Sequence, residues 1–151
     1  MVLAAFGDGV YKLLYLGHIV AFLVAFAPAV IHPIVTAQAK ADGPESLTRL
    51  GGHLAANGRR IHLPALIALG ALGLGMVLVS DDVWAFDQAW ISLAFLAWLA
   101  ICGVVSGLLL PAERQLAGGD LGAERQVALG GQIVTVLLLV MLYLMIWKPG
   151  A

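Results

Sequence analysis

A chain of 151 residues that is 62% hydrophobic and 11% charged carries less than half of the roughly 25% charged residues typical of a soluble domain. Its net charge of −1 excludes nucleic acid or another polyanion as the expected partner. Its single cysteine, Cys102, excludes an internal disulfide and a thiolate metal cluster and reads as a small buried hydrophobe.

In chain order, the first apolar run is Val10–Val35. Ala27-Pro28-Ala29 loosely matches a signal cleavage site, but a signal peptide opens on a basic region. Here Asp8 stands in that place and no basic residue precedes Lys12, so the segment reads as a retained helix. Pro28 and Pro33 should bend its far end. The charged stretch Gln38 to Arg60 reads as the longest loop. Within it, Pro44-Glu45-Ser46 followed by Leu47, Leu50 and Leu54 suggests a short amphipathic helix at the membrane surface, weakened by Gly51-Gly52.

The second run, Ile61–Val79, carries Gly70, Gly73 and Gly75. A short acidic loop with Asp81, Asp82 and Asp87 leads to the third run, Trp90–Leu110, so these two spans should form an antiparallel hairpin. Gly103 and Gly107 form a GxxxG pair, which suits close packing within the chain and, less favoured, pairing with itself or another membrane subunit. A third charged stretch, Glu113 to Arg125, precedes the last run, Val127–Ile146. The echo of Ala112-Glu113-Arg114-Gln115 in Ala123-Glu124-Arg125-Gln126 is too short to define a repeat. A bilayer core takes about 20 apolar residues per helix, so the expected fold is all-α. It is a four-transmembrane-helix up-down bundle forming one domain over residues 1–151, with the lipid bilayer as its main partner.

With four spans, both termini and the second loop share one side. That side holds Lys12 and Lys148, against Lys40, Arg49, Arg59, Arg60, Arg114 and Arg125 on the other. The positive-inside rule makes the six-residue side cytoplasmic and places the termini outside a bacterial inner membrane. Tyr11, Tyr15, Trp84, Phe86, Trp90, Tyr143 and Trp147 fall near the outward interface as an aromatic belt. Trp98, mid-span, is the exception, packing between helices or facing lipid.

No serine-histidine-acid set, phosphate-binding loop or paired intramembrane carboxylate can be picked out, which argues against an enzyme. Four histidines remain: His18, His32, His53 and His62. His18 lies about 10 Å into the first span at 1.5 Å per residue, where a polar ring needs a partner. A bond to a backbone carbonyl is the plainer reading. An axial ligand to haem b or another tetrapyrrole is the sharper one. His18 and His32 are about four turns apart and share a helix face. His62 is level with His32, and Arg59 and Arg60 beside it suit haem propionates. No second histidine matches His18, which leaves Met76, Met141 or Met145 as the thioether opposite it, or His18 alone. Copper on His18 and Met76 is a third reading.

The run Leu13-Leu14-Tyr15-Leu16-Gly17-His18-Ile19-Val20-Ala21, the basic loop, and Arg59-Arg60-Ile61-His62-Leu63-Pro64 ahead of a glycine-rich helix resemble a bacterial "predicted integral membrane protein" family of unknown function. So does a final span following an arginine-bearing loop. That family is distantly similar to copper-resistance protein D and to the HemJ-type protoporphyrinogen oxidases. The resemblance implies a four-helix membrane bundle whose first-helix histidine, His18 here, is linked to haem. HemJ-type proteins also carry a functional lysine inside the bundle. No span interior here has one, so oxidase activity is not expected. The copper-resistance relatives imply copper uptake, carried by His18 alone. The near-absence of extramembrane mass favours a non-catalytic subunit or anchor of a membrane complex; the alternative is a tetrapyrrole-binding redox or haem-handling protein, and a further one is copper transport.

Overall fold

The computed structural model describes residues 9–150; Asp8, which entered the reading of the N-terminus, lies outside the described residues. Among the described residues there is helix and no strand. Four helical runs are long and apolar enough to cross a membrane: Gly9–Asp42, Pro44–Leu78, Ala89–Ala117 and Leu121–Trp147. Helix is the form such runs must take, because hydrocarbon offers no partner for a free backbone N–H or C=O. The first run is helix α1. The second is α2 (Pro44–Asn57), a π-helical turn (Gly58–His62) and α3 (Leu63–Leu78). The third is α4 (Ala89–Val104), a π-helical turn (Val105–Leu109) and α5 (Leu110–Ala117). The fourth opens with a 3₁₀ turn (Leu121–Ala123) and continues as α6 (Glu124–Trp147).

Both π turns end just before a proline. Leu63 N donates to Gly58 O ahead of Pro64, and Leu110 N donates to Val105 O ahead of Pro111. A proline ring clashes with the carbonyl four residues back. Widening the turn by one residue relieves that clash without ending the helix.

The stretch expected to be the longest loop is instead almost entirely helix. The only break is Gly43, at φ 108°, a left-handed conformation that glycine adopts without strain. Helix α2 continues into the second span rather than lying as a separate surface helix. Its apolar face is covered: Leu47 and Leu54 are buried with Ala112 and Leu116 of α5. Gly51 permits this contact, since a Cβ there would come within 2.7 Å of the Ala117 backbone nitrogen.

Helix α1 packs chiefly on α3, α4 on α6, and α2 on α5, while the α3–α4 contact is slight. The second and third spans meet mainly where α2 packs on α5, while α3 lies chiefly against the first span and α4 against the fourth. Glycines decide it. Gly73 and Gly75 receive His18 and Leu14 of α1, and Gly70 lies flat under the Trp98 indole. Gly103 and Gly107 touch nothing within 4 Å of where a Cβ would stand, so the GxxxG pair makes no packing contact inside the chain.

Buried residues form three layers along the helices. The middle layer centres on Leu69 and Ile101, one end holds Trp90, Ile91, Ala94 and Leu144, and the other holds Leu47, Leu54, Ala112 and Leu116. Around them large apolar side chains stay open, among them Leu13 (71%), Val30 (70%) and Leu78 (73%). An apolar perimeter that wide suits hydrocarbon, not water.

Candidate functional site

Tyr11 at the start of α1, the turn between α3 and α4, and Lys148 after α6 meet at one end of the molecule. Ser80 is fully buried and staples that turn: Oγ donates within reach of the Val77 and Trp84 carbonyls (2.8 and 3.1 Å) and accepts from Trp84 N (3.0 Å). The staple holds Trp84 in place, so that its Nε1 donates to Tyr11 Oη at 3.2 Å. Trp84 and Trp90 meet edge to face, and the Lys148 ammonium sits 4.2 Å from the Trp84 ring centre, within cation–π range.

Beneath this cap lies a mostly apolar cavity of about 480 Å³ whose lining includes His18, Met76, Met141, Met145, Trp84 and Lys148. That volume is in the range of small-molecule and cofactor sites. His18 Nδ1 is 3.0 Å from the Leu69 carbonyl oxygen. A carbonyl only accepts, so Nδ1 carries the proton, and in the neutral ring Nε2 is left as a lone-pair donor. Gly73 makes room for the ring, since a Cβ there would stand 3.2 Å from His18 Cε1. Trp98 Nε1 donates to Leu66 O at 2.8 Å. Its indole thus packs between helices, and it lines, with His18, Met141 and Met145, a second, small pocket that shares these last three residues with the cavity.

The residues predicted at the other end divide into two groups. His32 and His62 come together, their ring centres 6.2 Å apart and edge to face. His62 Nδ1 donates to Val24 O at 2.8 Å. Arg59 and Arg60 do not join them; with Arg114, Ala55 and Ala56 they line a separate recess. His53 is exposed on α2. Among the described residues no group of three or more His, Cys, Asp or Glu side chains is placed to hold a metal ion.

Sequence reasoning placed His18 and the three methionines at similar depth, and the structure puts all four on one cavity. It missed Lys148 as a cavity residue, because a lysine just past a span reads as an interfacial anchor. It also missed Glu113, which is 4% exposed with an unpartnered Oε2; a glutamate within a charged stretch gives no signal of burial. Comparison with protein-family models, curated proteins and solved structures gives no match.

Proposed function

We propose that this protein binds haem b, or a closely similar tetrapyrrole, within the membrane through His18 and serves in redox or haem handling. The supporting observation is the His18 ring itself. It is fixed by the Leu69 carbonyl with Nε2 unprotonated, on an apolar cavity that also presents three thioethers. Histidine, alone or with methionine, is a haem donor set, so the residues present fit the group. Bound there, haem would supply one-electron exchange.

The chain's own residues would do the rest. The Leu69 carbonyl orients the imidazole and raises its basicity, as partners behind a ligating histidine do. Met76, Met141 and Met145 offer soft sulfur donors or polarisable packing. Trp84, Trp90 and the Trp98 indole exclude water. Lys148, at the capped end, pairs with an acidic edge of the ligand. In this reading the spans alternate up and down in a bacterial inner membrane, with the cavity on the non-cytoplasmic side. We place no second group between His32 and His62. Their rings pack directly on one another, and the arginines that would meet its propionates line another recess.

The second reading is a non-catalytic subunit or anchor of a membrane complex. It is favoured by Gly103 and Gly107, whose small-residue surface is left open to a further helix.

A reduced-minus-oxidised visible spectrum of the protein, purified after expression with haem supply, tests the first reading. Soret and α-band signals are expected, and H18A should abolish them. Their absence in the wild type would sink haem binding and leave the subunit reading. Copper-dependent uptake in vesicles that H18A removes would point to copper instead.

A further inference from the structure

Three arginines line one recess at the end of the molecule away from Lys148. Arg59 and Arg60 belong to the π turn that joins α2 to α3, and Arg114 belongs to α5. Together they surround a recess of about 520 Å³, with Ala55 and Ala56 completing the lining. None of the three has a carboxylate within ion-pair distance, and none makes a hydrogen bond to the protein among the described residues. No acidic residue lines the recess. Glu124 pairs with Lys40 at 2.7 Å, and Asp120 accepts from Gly122 N at 3.0 Å. Glu113 precedes Arg114 in sequence but is buried below the surface, its Oε2 3.2 Å from where a Gly58 Cβ would stand.

The backbone elements that carry the three arginines are packed against one another. Gly58 seats the π turn on Leu110, where a Cβ would come within 2.8 Å of Leu110 Cδ2. Leu54, Ala112 and Leu116 are buried between the two elements. Like charges held together without a counter-charge repel, and a bound anion removes that repulsion. Arginine's planar fork matches phosphate oxygens two at a time. In sequence, the arginines stand where the apolar runs stop, Arg60 just before Ile61 and Arg114 four residues after Leu110, the position at which a membrane-spanning helix meets the headgroups. Basic pockets between spanning helices hold anionic headgroups.

We propose that Arg59, Arg60 and Arg114 form a binding site for a phosphate group, carried by an anionic phospholipid headgroup or by a soluble phosphate. The site is independent of His18 and of any haem.

The experiment measures thermal melting of delipidated protein in neutral detergent, with phosphatidylglycerol, with phosphatidylcholine of the same chains, and with sodium phosphate or pyrophosphate. Phosphatidylglycerol should raise the midpoint above phosphatidylcholine, and a triple R59Q/R60Q/R114Q variant should weaken its binding at least about tenfold. R125Q, outside the recess, should leave the shift intact. A shift produced by phosphate or pyrophosphate alone, and lost in the triple variant, identifies a soluble ligand for the same site. Equal responses to both lipids with no effect of phosphate overturn the proposal, as does a shift the triple variant retains. If the triple variant does not fold, native mass spectrometry of the single variants decides. Each should retain fewer phosphatidylglycerol molecules than wild type, and unchanged counts overturn the site.

Discussion

Pro28 and His62 are one physical unit, although 34 positions separate them in the sequence. Proline has no N–H, so the carbonyl four residues back, at Val24, loses its helical donor. In hydrocarbon an unpaired carbonyl is costly, and His62 Nδ1 supplies the missing bond at 2.8 Å. The histidine is thereby a replacement for a backbone donor. Removing it in H62A should destabilise the protein by about 0.5–2 kcal/mol, the range for side-chain hydrogen bonds between membrane helices. In a P28A background the backbone N–H restored at that position can serve Val24, so the same H62A change should cost much less. A double-mutant cycle on thermal unfolding in detergent measures the coupling. Additive costs would show that the bond does not substitute for the proline's missing donor. His18 carries a similar bond to Leu69 O, but there no proline removes the helical donor, so the bond serves to orient the ring.

At the scale of elements, two adjacent glycines of α2 make opposite predictions. A Cβ at Gly51 would press within 2.7 Å of the Ala117 backbone, while one at Gly52 would meet nothing. G51A should therefore separate α2 from α5 and cost about 1–3 kcal/mol, as overpacking does. G52A should be neutral or stabilising by up to about 1 kcal/mol through helix propensity. Thermal melts of the two variants decide, and equal effects would contradict the close packing of α2 on α5.

The same pair shows what the sequence could and could not reveal. The four spans were legible because a bilayer demands length and apolarity, both visible in a string of letters. The helix expected to be weakened by Gly51-Gly52 runs through both, and Gly51 permits a tertiary contact that its propensity alone would not reveal. The partner of each span was equally hidden. Which face Gly73 and Gly75 present depends on helix rotation, and the short acidic loop constrains only where the second and third spans begin and end. The cavity was half legible: His18 stood out as a polar group in an apolar run, while the convergence of Met76, Met141 and Met145 on it needed three helices in register.

For the whole molecule, the distribution of basic residues carries the proposed orientation. The end with Tyr11, Trp84 and Lys148 has only Lys12 and Lys148. The other end has Lys40, Arg49, Arg59, Arg60, Arg114 and Arg125. Acidic residues count little in setting topology, so the Lys40–Glu124 pair (2.7 Å) does not weaken the bias, and neither do Asp81 and Asp82 at the opposite end. Cys102 is the only cysteine, which makes a clean labelling test available in a C102A background. Asp87 and Gln126 are both exposed and lie toward opposite ends, and replacing either leaves every lysine and arginine in place. In right-side-out vesicles a membrane-impermeant maleimide should label D87C directly and Q126C only after detergent opens the membrane. The reverse pattern would invert the orientation and put the His18 cavity on the cytoplasmic side. Labelling of both without detergent would mean that the chain inserts in two directions. The arginine recess moves with the same result: labelling of D87C alone places its three guanidiniums against the cytoplasmic leaflet, where anionic lipid gives the surface its negative potential.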